Sequence, residues 1–125
     1  MSSEKPLAPP LAGVPGAVIV VSDRICAGRR EDRSGPLAVE LLADFGVECP
    51  APTVEPDEVG DIQQAVRAAL TAGARVIVTS GGTGVTPRDH TPEALAPLLE
   101  CELPGVAEQI RHAGLAKTPL AGLSR

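Results

Sequence analysis

Aromatic residues are nearly absent from this chain of 125 residues, which contains one Phe and neither Tyr nor Trp. Proteins that bind single-stranded nucleic acid stack the bases on aromatic side chains, and nucleic-acid-binding domains are usually basic. This chain instead has a formal net charge of −5 at pH 7. We therefore expect no nucleic-acid partner, and we expect aliphatic side chains to build the core.

Cysteine is also scarce, and its three copies, Cys26, Cys49 and Cys101, include no CxxC pair. Widely spaced cysteines of odd number indicate neither a disulfide framework nor a zinc site. We expect buried free thiols, because unpaired cysteines usually behave as small hydrophobic side chains. The sequence contains no apolar run that could cross a bilayer and no charged-then-apolar signal sequence, so we expect a cytoplasmic protein without a membrane partner.

The length favours a single domain. Residues 1–15 are rich in proline and small side chains, and this composition predicts a flexible N-terminal arm. The domain itself is predicted to cover residues 16–125.

Apolar runs alternate with helical patterns after the arm. Strands are predicted at residues 17–22, 47–54 and 74–80, and helices at 34–46, 57–73, from 91 onward and at 104–113. Prolines at 50 and 52 indicate that the second strand lies at an edge. The order predicts an α/β fold with three layers, in which a mostly parallel open sheet has helices on both faces.

Two of the predicted helices carry apolar stripes that should face the core. Leu37, Leu41, Leu42 and Phe45 share one side of the first long helix, and Val106 and Ile110 share one side of the last. Because side chains three or four positions apart lie on the same helical face, we expect both stripes to be buried.

Polar segments follow all three predicted strands. They are Ser22-Asp23-Arg24, Glu55 to Glu58, and Ser80-Gly81-Gly82-Thr83-Gly84. The carboxyl ends of parallel strands share one sheet edge, and ligands bind there at the point where the strand order reverses. The convergence of three polar segments predicts a binding site at this edge.

The third segment is a glycine loop that suits an anion. Gly81, Gly82 and Gly84 let the backbone approach a ligand with its amides free, while Ser80 and Thr83 add hydroxyl donors. The loop has neither the Gly-Lys-Ser/Thr ending of a nucleotide-triphosphate loop nor the third glycine of a dinucleotide fingerprint. An ordinary strand-to-helix turn is the alternative interpretation.

Asp89 places a negative charge in this loop, where a phosphate would be repelled unless a cation intervenes. Mg²⁺ commonly bridges phosphate oxygens to one or two carboxylates, and Asp57 is the candidate partner. The alternatives are a helix-capping role for Asp57, which the sequence alone favours, and an ion pair between Asp89 and Arg88.

Arginines are concentrated after the first strand. Arg24 stands nearest the strand end and is the preferred anion ligand. Arg29, Arg30 and Arg33 are interpreted as a solvated loop paired with nearby acids. His90 has no partner at metal-ligand spacing, and we expect it to be exposed and idle.

The segments "VVSDR", "PDE", "SGGTGVTPRDHTPEA", "ELPG" and "TPLAGLSR" occur here in the order found in one known family. They resemble the MogA/MoaB molybdenum-cofactor biosynthesis proteins and the related domain of gephyrin. The resemblance runs from about residue 17 to the end of the chain, and the glycine-loop segment is its most specific part.

The resemblance implies binding of molybdopterin and its adenylylation with Mg²⁺ and ATP, which yields adenylyl-molybdopterin and pyrophosphate. It also implies a homotrimer, with a hexamer as the alternative. The family's two key aspartates correspond to Asp57 and Asp89, which would act in catalysis and hold the metal. The family's glycine loop corresponds to Gly81, Gly82 and Gly84. The full set of predicted substrate- and phosphate-binding residues is Ser22, Asp23, Arg24, Ser80, Gly81, Gly82, Thr83, Gly84, Arg88 and Ser124.

Family domains continue past the "LSR" segment into a further strand, an Asn-Leu-Pro-Gly-like turn and a closing helix. The resemblance therefore implies a domain that lacks its C-terminal strand and helix. A non-catalytic, MoaB-like molybdopterin-binding or scaffold protein is the alternative function. A dinucleotide-dependent oxidoreductase rests on topology alone.

Overall fold

The computed structural model describes residues 7–125, so residues 1–6 of the predicted arm lie outside the described part. The strands are β1 (Gly16–Val21), β2 (Thr53–Glu55) and β3 (Val76–Ser80). The α-helices are α1 (Asp23–Cys26), α2 (Ser34–Asp44), α3 (Val59–Thr71), α4 (Thr91–Leu95) and α5 (Pro104–Gly114). Short 3₁₀ helices cover Ala96–Leu98 and Pro119–Leu123.

The three strands form one parallel sheet in the order β2-β1-β3. In the register of this sheet, Val20 of β1 lies between Val54 of β2 and Ser80 of β3. The predicted position of β2 at an edge is confirmed. Pro50 and Pro52 precede it, and a proline cannot donate the backbone hydrogen bond that a longer paired strand would need.

The central strand β1 is buried on both faces. Ile19 and Val21 belong to a core cluster with Ile62 and Val66 of α3 and with a residue of α4. Because side chains alternate along a strand, the buried residues between them face the opposite layer, where α2 contacts β1. Helices therefore cover both faces, and the predicted three-layer α/β fold is confirmed.

Both apolar helical stripes differ from expectation. Leu37, Leu41 and Phe45 of the α2 stripe are exposed, as are Val106 and Ile110 of α5. The physical reason is the width of the sheet: three strands offer α2 a narrow surface, and α5 packs against the C-terminal 3₁₀ helix. The expectation that these stripes are buried was wrong.

The cysteines are free, but they are not buried as expected. Cys26 and Cys101 are exposed and Cys49 is half-buried. All three lie outside the core formed by β1 and α3, so they do not pack there as small hydrophobic side chains.

The described part of the predicted arm is hydrogen-bonded near the end of α2. The Leu11 amide donates to the Phe45 carbonyl and the Gly13 amide to the Gly46 carbonyl, at 2.8 and 3.0 Å. Pro15 then forms an isolated parallel bridge with Glu48. Among the described residues, no helix has the length and apolarity needed to cross a membrane.

Candidate functional site at the carboxyl end of the sheet

The strand order reverses between β1 and β3, because the chain passes from β1 to β2 on one side and then to β3 on the other. A cavity of about 480 Å³ opens at the carboxyl ends of these two strands. Its lining residues are Val20, Val21, Ser22, Ile25, Arg30, Glu31, Arg33, Ser34, Leu37, Ser80 and Gly81. This is the position at which open α/β sheets bind their ligands.

Hydroxyl groups and arginines give the cavity its polar side. The Ser80 hydroxyl donates to Ser34 Oγ at 3.2 Å, which joins the end of β3 to the start of α2. Ser22 lines the cavity too, and its Oγ accepts the Ile25 amide at 3.2 Å. Hydroxyls and guanidinium groups are suitable donors for an anionic ligand.

The arginines in the lining are Arg30 and Arg33, whereas Arg24 lines no described cavity. This placement differs from the sequence interpretation, which preferred Arg24 and assigned the other two to a solvated loop. A turn with Gly28 at φ 71° ends α1, and the chain then runs along the cavity. The order of charged residues in the sequence does not show which arginines face the cavity. The one sequence signal was Gly28, because a glycine after a helix indicates a turn of the chain.

The glycine loop lies directly on the end of β1. Gly81 and Gly82 have φ values of 95° and 67°, in the left-handed region that favours glycine. A Cβ on Gly81 would collide with the Val21 carbonyl oxygen. A Cβ on Gly82 would collide with Thr91 Oγ1 and would lie 3.1 Å from Asp57 Oδ2. The glycines are thus needed for the close approach of this loop to Asp57.

Asp57 is buried, with 6% of its surface exposed, and it is held from two sides. Its amide donates to Asp23 Oδ1 at 2.9 Å, while its own Oδ1 accepts the His90 amide at 3.0 Å. Its carbonyl lies 3.0 Å from His90 Nδ1. A hydrogen bond between these two atoms requires the proton on Nδ1, because a carbonyl can only accept. The expectation of an idle, exposed His90 was wrong.

The capping interpretation of Asp57 was also wrong. Glu58 is the N-cap residue of α3, and no side chain makes the capping hydrogen bond. Asp57 instead directs its carboxylate toward the glycine loop, and within the described residues Oδ2 accepts no hydrogen bond. This oxygen is therefore available to a ligand or a cation.

Asp89 bonds to its own loop. Its Oδ2 accepts the Thr86 amide at 2.9 Å and the Thr86 hydroxyl at 2.6 Å, and these bonds hold its pKa below the usual value. A Cβ on Gly84 would lie 2.7 Å from the same oxygen. Asp57 and Asp89 are thus brought against Gly82 and Gly84, two positions apart in one loop. The proposed ion pair with Arg88 is not formed.

Asp57 lines neither of the two cavities beside this loop. Asp89 lines a separate cavity of about 420 Å³, together with His90, Glu93 and Arg125. The glycine loop connects the two cavities, since its first residues line one and Asp89 near its end lines the other.

Arg88 pairs with two other acids. Its Nη1 lies 2.8 Å from Glu58 Oε1, and its Nε and Nη2 donate to Asp23 Oδ2 at 3.2 and 2.9 Å. These pairs raise the pKa of Arg88, while the Asp57 amide and then Arg88 lower the pKa of Asp23. Asp23 and Arg88, both predicted to bind phosphate, therefore engage each other and join the three loops that follow the strands.

The C-terminal segment also reaches the glycine loop. Ser124 Oγ lies 3.5 Å from Thr83 Oγ1, so two predicted site residues meet. Arg125, which the sequence interpretation missed, donates from its amide to the Thr83 carbonyl and from Nε to the Gly84 carbonyl, both at 2.9 Å. The only sequence signal for it was its place beside Ser124.

The donor set fits a magnesium ion that is shared with phosphate. Within residues 7–125 no group of three or more His, Cys, Asp or Glu is arranged to hold a metal. Asp57 and Asp89 place carboxylate oxygens against Gly82 and Gly84. One or two protein carboxylates are what Mg²⁺ uses in phosphate sites.

Comparison with known proteins agrees with the predicted family. A family described as "Probable molybdopterin binding domain" matches residues 17–125. A molybdenum cofactor biosynthesis bifunctional protein of Synechococcus elongatus is 46% identical over 115 residues, which cover 92% of this chain and 36% of that protein. A molybdopterin adenylyltransferase of Pyrococcus furiosus is 45% identical over 86 residues, which cover 69% of this chain and 50% of that protein.

A solved structure has the same fold. The crystal structure of a molybdopterin biosynthesis protein from Mycobacterium abscessus superimposes with a TM-score of 0.83 at 48% identity, covering 90% of this chain and 71% of that one. The chain spans about a third to a half of the length of the curated relatives named above. The predicted family resemblance is confirmed: this protein belongs to the family of probable molybdopterin binding domains found in molybdenum cofactor biosynthesis proteins.

Proposed function

We propose that this protein binds molybdopterin and joins its phosphate to the α-phosphate of ATP. An oxygen of the molybdopterin phosphate attacks the α-phosphorus, the bond to the β-phosphate oxygen breaks, and adenylyl-molybdopterin and pyrophosphate result. The placement of Asp57 and Asp89 against a glycine loop at the strand-order reversal carries this proposal. The name of the Pyrococcus furiosus relative supports it.

The cavity at the end of β1 and β3 suits a ligand that is both apolar and anionic. Leu37, Val20 and Ile25 provide the apolar wall, while Arg30 and Arg33 provide positive charge. A pterin with a phosphate group has this mixed character. Binding it there would bring its phosphate close to these arginines and to the bonded Ser80 and Ser34 hydroxyls.

The glycine loop can bring the two reacting phosphates together. Gly81 lines the first cavity, and Asp89 beyond Gly84 lines the second. Val85 also lines the second cavity, four positions from Gly81. Four residues span at most about 14 Å, so a substrate in one cavity can reach a substrate in the other along the loop. Positioning of this kind removes much of the entropic barrier of a two-substrate reaction.

Mg²⁺ would be held by Asp57 and Asp89, and when bound it would neutralise the negative charge that accumulates on the phosphates. The chain's own contribution is to hold these carboxylates still. Asp57 is fixed by the His90 amide and Asp89 by Thr86.

The direct test is formation of adenylyl-molybdopterin and pyrophosphate from molybdopterin and Mg-ATP. We expect Asp57→Asn and Asp89→Asn to lower kcat by about 100-fold or more, because each removes a charged group at the reacting phosphates. Asp61→Asn is the matched control, since Asp61 lies on the first turn of α3 and makes no side-chain hydrogen bond or ion pair with the glycine loop among the described residues.

Absence of product with the parent protein would refute the enzymatic proposal. Calorimetry then identifies the alternative: molybdopterin binding without ATP affinity at any magnesium concentration indicates a non-catalytic binding or scaffold protein.

A further inference from the structure

We propose that Arg125 is a positioning residue for Asp57, and that it acts through the peptide group between Asp89 and His90. The inference deepens the proposed function, because it rests on Asp57 being a working carboxylate. Arg125 does not contact Asp57 itself. It reaches the Asp89 carbonyl through Nη2 at 3.1 Å.

The peptide group between Asp89 and His90 connects the two side chains. It is trans, like every peptide bond of the described residues, so its carbonyl and its amide point in opposite directions. The carbonyl accepts from Arg125, and the amide donates to Asp57 Oδ1 at 3.0 Å. Rotation of this plane would break both bonds at once.

The charges on the two sides of this peptide group favour the same orientation as its hydrogen bonds do. A guanidinium on the carbonyl side and a carboxylate on the amide side both stabilise one orientation of the peptide dipole. Hydrogen bonds in series also polarise one another. Arg125 therefore strengthens the hydrogen bond from the His90 amide to Asp57, although Arg125 binds the opposite side of the peptide group.

The rest of the Arg125 side chain is fixed for this task. Its Nε donates to the Gly84 carbonyl at 2.9 Å, and its guanidinium pairs with Glu93, which lowers the pKa of Glu93. Three acceptors in three directions require the planar fork of arginine. A lysine keeps the charge but cannot serve them together.

A simple tether of the C-terminal segment is the competing explanation. That segment has three further attachments. The Arg125 amide donates to the Thr83 carbonyl at 2.9 Å, Arg111 Nη1 donates to the Ser124 carbonyl at 3.3 Å, and Ser124 Oγ lies 3.5 Å from Thr83 Oγ1. Arg111 touches no residue of the glycine loop in these contacts. Arg111→Lys is therefore the matched control for Arg125→Lys, because it alters the tether and leaves the peptide plane alone.

The test is amide hydrogen exchange of His90 by NMR, with the Ile62 amide as an internal reference for the core. In Arg125→Lys we expect the His90 amide to exchange about tenfold faster or more, as befits loss of a charge-assisted hydrogen bond. Ile62 should keep its protection, and Arg111→Lys should resemble the parent. In the product assay, kcat should fall about 10- to 100-fold, as for other supporting partners of metal ligands, with KM little changed.

Unchanged exchange at His90 in Arg125→Lys would overturn the proposal. So would equal acceleration at His90 and Ile62, because it would identify Arg125 as a general structural tether. If the parent forms no product while His90 exchange responds as expected, the enzymatic function fails and the positioning contact stands.

Discussion

Thr86 donates two hydrogen bonds to the Asp89 carboxylate. These bonds hold the carboxyl pKa below its usual value. A lowered folded-state pKa contributes stability above the unfolded pKa of about 3.9, and this contribution is lost as the pH falls through the folded value. We predict that Thr86→Val raises the Asp89 pKa toward its ordinary value in an NMR titration of the side-chain carboxyl.

Thr83→Val is the matched control for this titration. Its hydroxyl lies 3.5 Å from Ser124 Oγ and, among the described residues, makes no hydrogen bond with Asp89. If the Asp89 pKa stays low in Thr86→Val, or rises equally in Thr83→Val, then Thr86 is not the group that lowers it.

Gly82 tests the close approach between the loop and Asp57. An alanine there would need a positive φ and would collide with Thr91 Oγ1. We predict that Gly82→Ala lowers the free energy of unfolding by about 1–3 kcal/mol, as a strained non-glycine position does. Chemical denaturation measures this difference.

Gly60 provides the opposite case. It lies within α3, and a Cβ there would meet no atom within 4 Å. Gly60→Ala should raise the free energy of unfolding by about 0.5–1 kcal/mol, because alanine loses less backbone entropy in a helix. Equal effects of the two substitutions would contradict the assigned loop geometry.

Among the elements, α3 and α2 differ in how much they bury against the sheet. Ile62 of α3 is 0% exposed, whereas Leu41 of α2 is 52% exposed. Ile62→Ala should cost about 2–5 kcal/mol of unfolding free energy, since it leaves a cavity in the core. Leu41→Ala should cost less than about 1 kcal/mol in dilute monomer. Denaturant titrations measure the loss of unfolding free energy in each variant. A larger loss in Leu41→Ala than in Ile62→Ala would contradict the assignment of the core to the α3 side of the sheet.

The elements themselves were predictable because their signals are local. The apolar runs of β1 and β3 and the glycines that end α2 and α3 stand in sequence beside the structure they produce. Burial of the helical stripes was not predictable in the same way. It depends on how many strands lie beneath each helix, and the periodicity of Leu37 or Ile110 contains no information on that number.

The site, too, has features that follow from the local sequence and features that depend on distant residues. The gathering of Ser22, Asp57 and Ser80 at one sheet edge followed from strand direction alone. The partners of Asp57 and Asp89 did not, because His90 lies 33 residues from Asp57 and Arg125 lies 36 from Asp89. Local rules offered a helix cap for Asp57 and an ion pair with Arg88 for Asp89. The distant His90 binds the Asp57 carboxylate instead, whereas Thr86, three residues away in the same loop, binds that of Asp89.

At the scale of the whole molecule, apolar surface remains uncovered. Fifteen large apolar side chains are exposed among the described residues, compared with seven buried ones. Exposed apolar area of this extent commonly marks an interface between chains. We predict a homo-oligomer, with a trimer expected and a hexamer as the alternative, and sedimentation velocity at micromolar concentration measures it.

A single 12.7 kDa species in that experiment would contradict the oligomer. Ile110→Ser provides a matched variant, since Ile110 is 68% exposed and its replacement leaves the β1–α3 core intact. If the oligomer forms through α5, this variant should dissociate at a higher protein concentration than Arg67→Ser, which replaces an exposed residue of α3.

Electron paramagnetic resonance of Mn²⁺ in the presence of pyrophosphate tests most directly whether Asp57 and Asp89 hold one cation together. We predict one bound Mn²⁺ for each parent chain, with affinity reduced about tenfold or more in both Asp57→Asn and Asp89→Asn and unchanged in Asp61→Asn. Mn²⁺ that binds the Asp57 and Asp89 variants as tightly as the parent would contradict a cation site on the glycine loop.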